Sequence, residues 1–169
     1  MVRLQHILDS WKTVRQDTAQ AVEEFPADEL DYKPVSDVAS FREIARHILD
    51  ASHGLTGMLL AGESVFGGPD FRDRLRPHFL TLPKDSGAAE LAAALRESVE
   101  RRIAELSAQS PEFYAGMVTR FGAEVTRLEM LQFVKEHELT HRQQMFMYLR
   151  LKGIVPATTR RRLAAQAGK

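Results

Sequence analysis

The chain contains no cysteine among its 169 residues, which excludes disulfides, thiolate metal ligands and a catalytic cysteine of its own. Thiol chemistry would need a thiol supplied by a substrate or cofactor. Long apolar runs are also missing, and none approaches the roughly 18 consecutive apolar residues of a membrane span. The N-terminal segment carries Arg3 and Asp9 and lacks the apolar stretch of a signal peptide, so a cytoplasmic location is expected. Net charge is absent too, with 23 Lys plus Arg against 23 Asp plus Glu. No whole-protein field then favours a nucleic-acid or membrane partner, and neither is expected. What is present, 44% apolar and 27% charged residues, is the mixture of a folded globular domain. At about 150 residues per domain the length accommodates one.

The zero net charge hides an asymmetry. Residues 150–169 hold six basic residues and no acidic one, leaving 17 basic and 23 acidic residues in the first 149. The division expected is a bundle over residues 1–156 and a basic C-terminal tail over 157–169, whose Arg160-Arg161-Arg162 cluster is either solvated or folded back on the acidic body or on a second subunit.

Helical periodicity dominates the chain. Leu4, Ile7, Leu8, Trp11, Val14, Thr18, Val22 and Phe25 recur at spacings of three and four and predict a helix over about 3–24, ended by Pro26. Turn-forming residues then fill 26–39. Ser40 and Glu43 form a capping box that starts a second helix, with an inward stripe from Phe41 to Leu59 and Gly62 as its C-cap. Between Gly67 and Gly87 lie Gly68, Pro69, Pro77, Pro83 and the arginines 72, 74 and 76, a long excursion of the kind that lines sites. A third helix, capped by Asp85 or Ser86, is predicted over about 88–108. A small extended turn is compatible with Phe113 to Val125. Thr126 and Glu129 cap a fourth helix that runs to about Lys152 and stops at Gly153. These four amphipathic helices, joined by long crossover connections, define an all-α four-helix bundle.

Six histidines are distributed over these elements. His137 and His141, four apart, share one face of the fourth helix, where their Cβ atoms lie about 6 Å apart and can serve one ion. That face is read as the buried one, with Met130, Phe133, Val134, Met145 and Tyr148. His47, between Ile44 and Ala51 on the second helix, is the expected third ligand. Three neutral imidazoles suit zinc or nickel, with a coordination position left open for water or substrate. Each ring taken alone reads more simply as a core histidine hydrogen-bonded to protein; the pair plus a third inward ring favours the metal. HELTH at 137–141 also matches His-Glu-x-x-His, in which Glu138 would be a protease base. No His, Asp or Glu follows His141 to supply a third ligand, so that match is read as accidental, with Glu138, one position off the metal stripe, expected to support a ligand or to act as a base beside the metal. Gln144 is expected to complete core hydrogen bonding or orient a bound group, and Asp50 to hold a ligand ring or lie on the surface. His6, His53 and His78 are expected to face solvent, with His78 and Tyr32 as candidates for a lid over the site.

LDYKP at 30–34, SFREIARHI at 40–48 and HELTHRQQMFMYLRLKGIVP at 137–156 together resemble the DinB-like (DinB/YfiT) superfamily of bacterial metal-binding four-helix proteins. The last segment is the most specific, since ligand spacing, helix end and C-cap occur in one run. The resemblance covers nearly the whole chain. It implies metal ligands at His47, His137 and His141, and a homodimer. Some relatives transfer low-molecular-weight thiols or use them in isomerisation.

Two functions follow as expectations. In the first, a divalent metal activates a low-molecular-weight thiol or water for transfer to, or hydrolysis of, a small-molecule substrate. In the second, the protein is a non-enzymatic stress-related or ligand-binding protein in which the metal is structural.

Overall fold

A computed structural model describes residues 3–168. Its four long helices are α1 (Leu4–Glu24), α2 (Phe41–Leu60), α4 (Ala88–Ser107) and α6 (Arg127–Leu151), with shorter helices α3 (Phe71–Leu75), α5 (Pro111–Ala115) and α7 (Ala157–Ala167) between and after them. Their limits follow from local chemistry. Ser40 and Glu43 exchange backbone and side-chain hydrogen bonds at the start of α2, and Thr126 and Glu129 do the same for α6. Gly62 and Gly153 end these helices at φ +82° and +75°, a left-handed conformation that costs glycine little. The cap of α4 is Gly87, not Asp85 or Ser86; its N–H donates to the Glu90 carboxylate at 3.1 Å.

Helix α1 packs on α4 and α6, and so does α2, which leaves α1 and α2 on a diagonal of the bundle. One apolar cluster gathers the end of α1, the starts of α2 and α4 and the end of α6; the other gathers the opposite ends. Helices α1 and α6 therefore run one way, and α2 and α4 run the other. This topology explains the long connections. Residues 25–40 cross a diagonal, and residues 61–87 must return along the length of the bundle before α4 can start.

That return segment is not irregular throughout. It contains strand β1 (Val65–Phe66), α3 and a 3₁₀ turn over Arg76–His78. It lies against α2 where α2 has glycines: a Cβ on Gly54 would stand 2.8 Å from Leu75 Cδ1 and 3.0 Å from the Phe79 ring, and one on Gly57 would meet His78 and Arg102 at 2.9 Å. With both sides covered, every residue from Ala51 to Leu59 is buried. The Phe113–Val125 region forms α5 and a hairpin of β2 (Met117–Arg120) and β3 (Ala123–Thr126), with β1 parallel to β2. The hairpin turns through Phe121 (φ 48°) and Gly122 (φ 89°). The left-handed Phe121 is held because its ring stacks edge-on against Phe71 and Phe133.

The tail residues Ala157–Ala167 form α7 along α1. Arg160 pairs with Glu24 and Arg161 with Asp17, so the basic cluster meets acids of the same chain. No helix among the described residues is long and apolar enough to cross a membrane.

Candidate metal centre

Two polar groupings lie near each other on α6 and behave differently. The first is buried between the two apolar clusters. Arg15 of α1 is 0% exposed and Glu138 of α6 is 1% exposed. Arg15 Nε donates to Glu138 Oε1 at 2.7 Å and Nη2 to Oε2 at 2.8 Å; Trp11 Nε1 adds 2.7 Å and Thr18 Oγ1 3.0 Å. The remaining Arg15 donors reach Ser52 of α2 and Ser98 and the Leu95 carbonyl of α4. All four bundle helices thus meet at one ion pair. Three N–H donors, and the Thr18 hydroxyl that it shares with the Val14 carbonyl, engage both Glu138 oxygens, and burial keeps a substrate proton from them. The protease-base reading and a place beside the metal both fail for it.

The second grouping is the histidine triad. The buried stripe of α6 passes through Met130, Leu131, Val134, Glu138, Met145 and Leu149. The histidines stand one residue round the helix from Glu138, on the flank of that stripe, and not inside it as the periodicity had suggested. His137 and His141 are half-buried, and His47 on the antiparallel α2 is exposed at the rim. Their Nε2 atoms converge, with 3.3 Å between His47 and His137 and 3.2 Å between His137 and His141. An ion bound tetrahedrally at about 2.0–2.1 Å would require N···N separations of roughly 3.3–3.4 Å. The donor set fits such an ion.

Protonation and tautomer are also suitable. Burial, together with the neighbouring rings, pushes His137 down to about 4, and His47 is lowered by burial and by His141. Both are therefore neutral, with lone pairs available, near pH 7. His141 Nδ1 donates to Gln144 Oε1 at 2.8 Å, which leaves Nε2 as the lone-pair nitrogen facing the other rings. Gln144 is exposed, so it orients a ring and is not part of the core. Among the described residues no fourth His, Asp or Glu joins the three.

Two clefts open on the triad and share His47. One, of about 320 Å³, has an apolar floor of Ala51, Leu75 and Phe79 and carries Asp50, Arg72 and Arg76. The other, of about 460 Å³, runs past Ile44, His141, Gln144 and Tyr148. Asp50 makes no hydrogen bond to a ring nitrogen in the described structure; burial raises its pKa, and Arg46 opposes that shift.

The remaining histidines separate. His6 is exposed, as expected. His53 is 4% exposed, contrary to the expectation, because residues 76–81 cover the outer face of α2. His78 packs against Gly57 on that same outer face, and Tyr32 packs edge-on against Tyr148; the two do not form a common lid. The Arg15–Glu138 pair went unread in the sequence. Its one trace is a charged residue, Arg15, within the apolar stripe between Trp11 and Thr18.

The fold and site define a helical bundle with an open, all-histidine centre on its rim. The family model of the DinB family matches residues 1–167, and the chain belongs to the DinB family. The uncharacterised protein YjoA of Bacillus subtilis is 23% identical over 153 residues, covering 90% of this chain and 93% of YjoA. The crystal structure of YjoA superposes with a TM-score of 0.67 at 24% identity, over 88% of this chain and 92% of that one. YfiT from Bacillus subtilis, described as a probable metal-dependent hydrolase with an unusual four-helix bundle topology, gives 0.66 at 18% identity, over 91% of each chain. A mycothiol-dependent maleylpyruvate isomerase gives 0.63 at 12% identity, over 85% of this chain but 61% of its own.

Proposed function

We propose that His47, His137 and His141 hold one divalent metal ion, zinc or nickel, and that the protein uses it to act on a small molecule by thiol transfer or hydrolysis. The observation that carries this reading is the convergence of three Nε2 atoms, 3.3 Å between His47 and His137 and 3.2 Å between His137 and His141, at a rim where two clefts share His47 and, among the described residues, no fourth His, Asp or Glu joins the three. Such an ion, when bound, supplies Lewis acidity and lowers the pKa of a coordinating water or thiol.

The chain's own residues supply orientation and access. Gln144 holds the His141 ring through Nδ1. The cleft beside His47 admits the substrate, and Asp50 is the carboxylate lining it. Because the chain has no cysteine, a thiol would enter as a substrate. The descriptions of YfiT and of the mycothiol-dependent isomerase support metal and thiol chemistry on this fold. A structural metal in a non-enzymatic protein is less well supported, since such sites are normally closed by four protein ligands.

Metal analysis of tag-free protein, alongside His47→Ala, His137→Ala and His141→Ala, tests ligation. About one ion per chain in the parent and a marked loss in each variant is expected. Unchanged content in all three variants would overturn the assignment. Thiol-transfer and hydrolase assays on metal-loaded and chelated protein then test catalysis, and size measurement in solution tests the proposed homodimer.

A further inference from the structure

Helix α3 and its C-cap carry three arginines, Arg72, Arg74 and Arg76. Arg74 is consumed by the fold: it pairs with Glu63 and Asp70 and donates to the carbonyls of Val65 and Gly67. Arg72 and Arg76, four apart, share the other face and line the cleft beside His47. Arg72 forms no salt bridge among the described residues, and Arg76 has only a 3.9 Å contact with the exposed Asp73. Placing unpaired guanidiniums together costs electrostatic energy, and the position is not left to chance. Leu75 and Phe79, on either side of Arg76, are seated against Gly54, where any Cβ would collide with them. The backbone that carries the arginines is thus seated on α2 at Gly54, two turns from His47, while the two guanidiniums are exposed to solvent at the cleft. The cleft's one acid, Asp50, has Arg46 as its own nearby cation.

Resting on the metal reading above, we propose that this cleft selects an anionic small molecule, with a carboxylate or phosphate held by Arg72 and Arg76, an apolar body over Ala51, Leu75 and Phe79, and its reactive end directed to the triad. Planar guanidiniums match a carboxylate or phosphate by paired donors. The cleft past Tyr148 has no such pair of free cations: its charged lining residue is Glu43, which is engaged by Lys33 and the Ser40 backbone.

The test compares benzoate and phenyl phosphate with the uncharged benzamide, by calorimetric titration of metal-loaded protein. Each anion is expected to bind roughly tenfold or more tightly than benzamide, and this preference is expected to vanish in Arg72→Gln/Arg76→Gln. It should survive in Lys84→Gln/Arg150→Gln, which removes the same charge at exposed positions elsewhere. A preference absent from the parent, or equally retained in the Arg72/Arg76 variant, overturns the proposal. A preference lost equally in the remote control also overturns it, since a general charge effect would then suffice. Metal content measured on the same samples separates this from failure of the metal reading. His137→Ala protein, titrated in parallel, shows whether the arginines confer the preference with the triad disabled.

Discussion

The guanidinium of Arg15 and the carboxylate of Glu138 face each other in two parallel hydrogen bonds of 2.7 and 2.8 Å at the centre of the bundle. Glu138 lies next to His137 in the chain, yet the two serve different purposes. One ties four helices together; the other turns to His47 and His141. The pair also divides the core into its two apolar clusters.

Removing one partner strands the other in the core. Glu138→Ala and Arg15→Ala are each expected to cost about 3–5 kcal/mol of stability, whereas Arg15→Met/Glu138→Leu should cost less than either. Urea unfolding measures this. If Glu138 were instead a catalytic base, Glu138→Gln would leave stability unchanged and abolish activity.

Gln144 holds His141 by one hydrogen bond outside the triad. Gln144→Leu is expected to weaken metal affinity about 10–100-fold while the metal still binds; His141→Ala should do far more. Competition with a chelator of known affinity ranks the three proteins.

His53 is buried with Nδ1 unpartnered, and its pKa is pushed down to about 4 by burial first and by Arg102 and Arg101 second. The unfolded chain, with an ordinary imidazole near 6.5, therefore binds the proton first as pH falls. Stability from this group is fully present above about pH 6.5 and declines toward pH 4, by about 1–3 kcal/mol once solvent screening is allowed for. His47 and His137 add to the same slope. Unfolding curves at pH 7 and pH 5 should therefore differ less for His53→Gln than for the parent.

Gly54→Ala sets two effects against each other. Alanine gains up to about 1 kcal/mol of helix propensity, but its Cβ would press on Leu75 and Phe79, and overpacking costs about 1–3 kcal/mol. A net loss in thermal stability is expected, because Leu75 belongs to the core cluster and Phe79 packs against it. Weaker benzoate binding should accompany it as α3 is displaced.

Much of this molecule was legible in the chain itself. Capping boxes at Ser40–Glu43 and Thr126–Glu129, the stops at Gly62 and Gly153 and the 3.6-residue stripes are local features, set by hydrogen bonds and side-chain spacing within one or two turns. They located the four long helices to within a residue or two. Spacing also singled out His47, His137 and His141, because an i, i+4 pair must share a face. Periodicity cannot tell which of two adjacent faces is deeper, however, so it placed the histidines in the core and Glu138 beside it. The reverse order holds because Arg15, 123 residues away, satisfies the carboxylate. His53 became buried, and Arg72 and Arg76 came to the cleft beside His47, only through the return path of residues 61–87 over Gly54 and Gly57. Local chemistry determined the elements and the candidate ligands. Burial and convergence depend on which segment covers which face, and the packing of distant helices decided them.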